Sequence, residues 1–443
     1  MDPHSPSPLL RHFPEAKIDR YTLPLAKFLR IEAASGILLA LCTVAALVIA
    51  NTQWFPEWKA FWDAKLTIDT GPIRLSDPRW YWVNDALMAI FFFVVGLEIK
   101  RELVDGHLSD RSKILLPVVA AIGGALVPAG IFYFAQRGTD GLAGWAIPMA
   151  TDIAFVVGAL ALLGKRVPPS LKVLLLSLAI VDDLLAVVII AFFFAESIAM
   201  GWLAGAGVGI ALVLVLQRLG VRRVGVYALF GAFIWLCTLK SGLHPTIAGV
   251  VLGLLTPARA WLGPEAMKRL IVAAEEDLDH AITTGHPPTD TLDQLSFGAR
   301  EAVSPLERLE HSLHPWVGFV IMPIFALANS GVPIDTASMG SPLALAIGAA
   351  LFLGKPLGIC LTAWLAIRAG RATLPEGVSW PAMIGAGILC GTGFTMSLFI
   401  TSLSFEGALG DTGRVGVLLG SGLSLLVGFI WLRLTLRKPE LAS

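Results

Sequence analysis

Charge is what this chain has least of. Only 15% of its 443 residues are Asp, Glu, Lys or Arg, against about 25% in an ordinary soluble domain. Acids and bases balance to a net charge of +0. There is no basic excess to hold a nucleic acid, and none is expected as a partner. Cysteine is scarce as well. Cys42, Cys237, Cys360 and Cys390 all lie in apolar runs, which argues against a disulfide frame or a thiolate metal site and leaves them as small hydrophobes. The chain also lacks the basic-then-apolar opening of a cleaved signal. It is polar for about thirty residues before its first apolar run, so that run is expected to be retained.

What is abundant is apolar surface. The chain is 56% hydrophobic with a mean hydropathy of +0.74. A helix crossing the hydrocarbon core needs about 20 apolar residues. Twelve segments qualify: 31–51, 80–104, 113–136, 142–163, 170–195, 198–217, 223–239, 242–256, 309–333, 342–366, 381–403 and 413–434. Lys and Arg in short loops mark the cytoplasmic side. With the N-terminus in the cytoplasm, 25 of the 33 Lys and Arg residues fall inside, seven fall outside, and Lys355 lies within a span. A wrong span count would scramble that alternation. The expectation is therefore an all-α polytopic membrane protein with about twelve transmembrane helices. A cytoplasmic tail (1–30) leads into spans one to eight (31–256). A long cytoplasmic loop (257–308), spans nine to twelve (309–434) and a cytoplasmic C-terminal tail (435–443) follow.

Two polar insertions interrupt the pattern. Residues 52–79 contain LTIDTGPIRLS, alternating residues around a Gly-Pro turn, and predict a small external β-hairpin. Residues 257–308 contain EAMKRLIVAAEEDLDHAI and then a Pro/Thr-rich stretch, and predict a surface helix followed by a flexible linker.

The fourth span carries Ala150-Thr151-Asp152-Ile153-Ala154-Phe155 after Pro148, and the eleventh carries Gly391-Thr392-Gly393-Phe394-Thr395-Met396. Each is polar and rich in helix breakers. Spans an odd number apart cross in opposite directions, so the two could be counterparts in inverted-topology repeats with interrupted helices. That is a transporter design with its ion site at the midplane. Close helix packing is the other source of such glycines.

Against this background the buried charges stand out. Asp182 and Asp183 fall at the centre of SLKVLLLSLAIVDDLLAVVIIAFFFA. One ionised carboxylate there costs roughly 2.5–3.5 kcal/mol on insertion scales. Asp152 lies near the middle of the fourth span, Lys355 at the middle of the tenth, and Asp85 a little inside the second. Asp152 and Asp182 are 30 residues apart. At ~1.5 Å per residue this returns the chain to a similar depth on an antiparallel neighbour. Asp182 and Asp183 point about 100° apart on their helix. One can face an ion path while the other pairs with Lys355, and a purely structural ion pair is the plainer reading. Carboxylate oxygens are hard ligands for a small cation. Burial makes their ionised form costly, so a proton and a cation can compete for one site. Thr151 could add a hydroxyl or a carbonyl, or serve only in packing. The interior offers carboxylates, one lysine and small hydroxyls, which favours a bare cation over an organic solute. A midplane lysine argues against a cation channel. The glycine motifs expected of an intramembrane aspartyl protease are absent from the flanks of the aspartates, so no enzymatic activity is expected.

At these residues the chain resembles the bacterial sodium/proton antiporter A (NhaA) family, over about residues 30–434. The motifs that carry the resemblance are WVNDALMAIFFFVVGLEIKREL, GWAIPMATDIAFVVGALALLG, LAIVDDLLAVVII, LKSGLHPTIAGVVLG, RLEHSLHPWV, GKPLGI and GILCGTGFTMSLFI. It implies two interrupted, crossing helices in the fourth and eleventh spans, and inverted repeats are the family's own architecture. It also implies an electrogenic, pH-regulated antiporter of the bacterial inner membrane, exporting Na⁺ or Li⁺ for more than one H⁺ by alternating access. No resident cofactor is implied, and the external hairpin would join a homodimer. By the same resemblance Asp183 matches the ion-binding aspartate, with Asp182 beside it as the partner of Lys355. Asp152 and Thr151 match the helix crossing, where Asp152 and Lys355 would offset half-helix dipoles. Glu98, Arg101, Glu102 and Glu310 match cytoplasmic residues tied to pH activation, and His244 a position linked to pH response. From the residues alone, the Glu98–Arg101–Glu102 group is an interfacial charge cluster and His244 a packed side chain. The loop 257–308 is longer than in the best-known members, which bears on pH regulation and leaves the ion site untouched.

Overall fold

In lipid a backbone can satisfy its own hydrogen bonds only by coiling into helix or closing into a barrel, and the long apolar runs of this chain coil. The computed structural model describes residues 32–436, apart from 70, 72–73, 105, 107–110, 196 and 285–288. The expected tail 1–30 and all but the first two residues of 435–443 lie outside the described residues.

The described chain opens with α1 (Glu32–Ala50), which turns through 115° into a surface helix, α2 (Phe55–Asp63). The predicted hairpin follows. β1 (Lys65–Asp69) pairs antiparallel with β2 (Arg74–Pro78), Thr67 opposite Ser76. Gly71 takes a φ of +85° in the turn, and its N–H donates to Asp69 Oδ1 at 2.9 Å. Two long helices come next, α3 (Arg79–Val104) and α4 (Arg111–Gln136). A 3₁₀ arm (Asp140–Met149) then meets α5 (Ile153–Leu163) at a bend of 41°. After α6 (Pro169–Phe193), α7 (Met200–Arg218) and α8 (Val224–Ser241) comes the short α9 (Thr246–Leu255). The loop holds α10 (Pro264–Thr284) and α11 (Thr289–Glu301). The chain then returns through α12 (Pro305–Asn329), α13 (Pro342–Arg368), the bent pair α14 (Trp380–Cys390) and α15 (Phe394–Ser404), and α16 (Gly407–Thr435). Among the described residues, eight helices are long and apolar enough to cross a membrane, and up to eleven segments are if each bent pair is one span.

The helix starts follow from local chemistry. Ser304, Ser341 and Ser379 each precede a helix with proline in its first two positions, and each hydroxyl accepts a backbone N–H from that helix's first turn.

Two expectations need correction. The segment 242–256 forms a helix of only ten residues, Thr246–Leu255, ~15 Å long against a hydrocarbon core of ~30 Å. Gly242 ends α8 in the left-handed region at φ +86°, and Pro245 precedes the first turn of α9. The Pro/Thr-rich stretch does not stay a linker. From Thr289 it forms α11, which packs on α10. Gly298 makes this contact possible, since a Cβ there would lie 2.2 Å from the Leu270 side chain.

Close packing is built on glycine. A Cβ on Gly249 of α9 would sit 2.1 Å from the Ala89 carbonyl oxygen of α3, and one on Gly358 of α13 would sit 2.1 Å from that of Gly123 on α4. Small residues that let backbones touch are how membrane helices associate without a hydrophobic driving force between them. Two apolar clusters result. One gathers Phe92, Val187, Ile190, Phe325 and Phe399. The other gathers Val95, Leu178, Val181 and Leu389. On α6 the aspartates fall between them.

Gly358→Val is expected to lower the melting midpoint by the equivalent of about 1–3 kcal/mol, the cost of overpacking. Gly201→Ala, where a Cβ meets nothing within 4 Å, should leave it unchanged. Thermal melts of the purified protein in detergent decide.

Candidate cation site at the helix crossing

Breaking two helices in the protein interior exposes four helix ends, and each leaves backbone groups without intrahelical partners. The breaks at 150–152 and 391–393 meet, and Asp152 N donates to the Thr392 carbonyl at 2.7 Å. Asp152 is 1% exposed and caps two helices at once. Its Oδ1 accepts Ala154 N at 3.0 Å and Phe155 N at 3.4 Å in the first turn of α5. Its Oδ2 accepts Thr395 N at 3.0 Å and the Thr395 hydroxyl in the first turn of α15. Ser421 Oγ of α16 accepts Phe394 N at 3.0 Å. Each helix N-terminus carries roughly half a positive charge, so one carboxylate between two of them is compensated without a counterion.

The opposite ends carry carbonyls. Lys355 is fully buried and follows a π-helical turn, Ala350–Gly354, in α13. Such turns recur at functional sites. The lysine Nζ donates to Met149 O, at the end of the 3₁₀ arm, at 2.5 Å. It also donates to Asp182 Oδ2, forming an ion pair with no exposure on either side chain. Thr151 Oγ1 lies 2.6 Å from Asp182 Oδ2 and 2.9 Å from Cys390 O, the last carbonyl of α14.

Two carboxylate oxygens are left over, besides the hydroxyls of Thr392 and Ser424. Asp182 Oδ1 and Asp183 Oδ1 are buried and have no hydrogen-bond partner among the described residues. With Asp152 held by helix ends and Asp182 by Lys355, Asp183 is the uncompensated acid. A buried charge without a partner is costly, so this site requires either a proton or a cation.

The remaining candidates fall into two separate groups. Arg101 of α3 pairs with Glu310 of α12, and Glu98 and Glu102 flank it on α3. Asp85 lies thirteen residues before Glu98 along α3, ~20 Å at the helical rise. There it meets His244, with Nε2 to Oδ1 at 3.5 Å, Asp85 buried and His244 partly buried. His244 Nδ1 is 2.7 Å from Thr246 Oγ1, its ring packs edge-on against Phe399 at 5.2 Å, and Trp235 Nε1 donates to Asp85 O at 3.0 Å. His244 and the Glu98–Arg101–Glu102–Glu310 cluster are therefore not one site. The Asp85–His244 contact, Thr395 and Ser421 were not anticipated from sequence. The only prior signal for the two hydroxyls was their place in or near a glycine-rich break.

The motif resemblance can be set against known proteins. The family model described as Na+/H+ antiporter 1 matches residues 26–432. The chain belongs to that antiporter family. The Na(+)/H(+) antiporter NhaA of Rhodopirellula baltica is 49% identical over 427 residues, covering 96% of this chain and 97% of the relative. The NhaA of Rhizobium meliloti is 44% identical over 427 residues, with 96% and 98% covered. Among solved structures, the sodium proton antiporter MjNhaP1 from Methanocaldococcus jannaschii matches 95% of this chain and 98% of its own, at 13% identity and a TM-score of 0.48.

Lys355→Ala strands Asp182 and the Met149 carbonyl in a dry interior. A loss of about 3–5 kcal/mol is expected, the cost of breaking a buried pair from one side. It should appear as a clear drop in melting midpoint. An unchanged midpoint would mean that Asp182 is held neutral without the lysine.

Proposed function

We propose that this chain exports Na⁺, and Li⁺ in its place, in exchange for more than one H⁺, and that Asp182 and Asp183 hold the cation. The observation that carries this reading is the pair of unpartnered oxygens, Asp182 Oδ1 and Asp183 Oδ1, beside a single ammonium. The charge count supplies the coupling. In the proton-loaded state Asp183 carries a proton while Asp182 and Lys355 compensate each other. A bare Na⁺ that takes oxygens from both aspartates displaces the Asp183 proton. It also takes Asp182 from Lys355, and a second proton leaves the Asp182–Lys355 pair. One positive charge has then replaced two, so the loaded forms differ by one unit and exchange is electrogenic. A membrane potential acts on such a difference at about 2.3 kcal/mol per charge per 100 mV. Asp152 keeps the half-helices of the crossing in register while the site alternates between the two sides, and no resident cofactor is needed.

The distribution of Lys and Arg supports cytoplasmic termini, and the family relation supports a bacterial inner-membrane location. On that orientation the Glu98–Arg101–Glu102–Glu310 cluster lies at the cytoplasmic mouth, where it sets the pH response, and Asp85 with His244 lies toward the outside. The hairpin supports a homodimer. All five residues of β1 are exposed, Leu66 and Ile68 among them, and a two-stranded sheet leaves edges free for a second copy. Replacing Ile68 with Pro should convert the dimer to monomer on size-exclusion chromatography with light scattering. A dimer that persists would place the interface elsewhere.

Everted vesicles test the exchange. After energisation, added Na⁺ or Li⁺ should collapse the pH gradient in vesicles carrying the native chain. In Asp183→Asn vesicles with equal amounts of inserted protein it should fail to do so. Silence of the native chain at every pH tested would reject Na⁺/H⁺ exchange for this protein. Normal activity of the variant would remove Asp183 from the site.

A further inference from the structure

The long loop is tied into the protein through one acid. Glu301, at the end of α11, is 8% exposed. Its carboxylate lies 3.4 Å from Arg222 Nη1, in the turn between α7 and α8, and 4.0 Å from Arg308 Nη1 in the first turns of α12. Neighbouring contacts close the same joint. Glu301 O accepts Leu262 N at 3.0 Å, Pro257 O accepts Leu306 N at 3.2 Å, and Arg300 O accepts an Arg308 Nη1 proton at 3.1 Å. The Arg222 guanidinium also covers the Trp261 ring at 3.8 Å. Arg308 and Glu310 are two positions apart, about 200° around the helix. One side of this turn of α12 is therefore gripped by the loop through Arg308. The other side is gripped by α3 through Glu310 and Arg101.

We infer that Glu301 is a positioning residue. Through Arg308 it sets the placement of α12 against α3, and so the Arg101–Glu310 pair at the mouth. The α10–α11 hairpin thereby becomes a control handle on the pH response. The charged groups around this coupling are Arg222 and Arg308 on the side of Glu301. On the side of Glu310 they are Arg101, Glu98 and Glu102 of α3 and Glu307 of α12 itself. The regulatory half of the inference rests on the pH reading above, whereas the positional half does not.

Two measurements separate the halves. Spin labels at Leu103→Cys on α3 and Ser312→Cys on α12, both exposed positions, in a background without the four native cysteines, report the α3–α12 distance. Glu301→Gln should broaden that distribution about two-fold or move its maximum, while Glu301→Asp keeps it near native. The milder Arg222→Gln should act in the same direction and serves if Glu301→Gln does not insert. An unchanged distribution in either charge-neutralising variant overturns the inference. In transport, Glu301→Gln should shift the pH of half-maximal exchange, and the shift should vanish in an Arg101→Gln background, as required if both act through one pair. Additive shifts overturn that route. Exchange that is insensitive to pH in the native chain would reject the regulatory reading, while the distances would still decide the positional one.

Discussion

Four helix ends meet at the centre of this protein, and the architecture depends on neutralising them where no water can. A straight span satisfies its own backbone, whereas a broken one leaves amide donors on one side of the gap and carbonyls on the other. Asp152 answers the donors by accepting from the first turns of both α5 and α15. Lys355 and Thr151 answer the carbonyls of Met149 and Cys390. Once these assignments are made, the Lys355 ammonium serves a carbonyl and Asp182 together, and Asp183 is left without a counter-charge. The unpaired carboxylate is thus a remainder. It is what is left after the structural debts of two broken helices have been met.

The surrounding helices keep that remainder dry. Glycines at positions such as 249 and 358 let backbones touch, so aliphatic and aromatic clusters close above and below the aspartates. In that medium an unpaired charge is costly. The Asp85–His244 contact and the Arg101–Glu310 pair are separate groups, both reached from α3. The α10–α11 hairpin adds a third layer, joined to α12 through Glu301.

Much of this was legible in the chain. Apolar runs of membrane length gave the spans, of which up to eleven of the expected twelve are long and apolar enough to cross a membrane among the described residues. Five charges in otherwise apolar segments pointed to Asp152, Asp182, Asp183 and Lys355 near the middle of their spans and Asp85 nearer the end of its own, because a membrane interior tolerates few such residues without a use. Less was legible where the signal was local and weak. Gly242 and Pro245 shortened the eighth segment to a ten-residue helix, and a hydropathy window averages over such breakers. The Pro/Thr-rich stretch looked like a linker because what holds α11 is its contact with α10, a property of two segments and not of one.

By itself, then, the sequence determined that the chain is a multi-span helical protein, which two spans are rich in helix breakers, and which few side chains carry charge into the apolar interior. These follow from transfer energies and backbone chemistry, which act residue by residue. Only the tertiary structure decided which carboxylate is spent and which is free. Asp152, Asp182 and Asp183 are chemically alike. Their roles diverge because one lies between two helix N-termini, one lies against Lys355, and one faces neither. That difference arises from the meeting of segments more than two hundred residues apart, as in the hydrogen bonds of Asp152 to Thr395, and no local pattern encodes it.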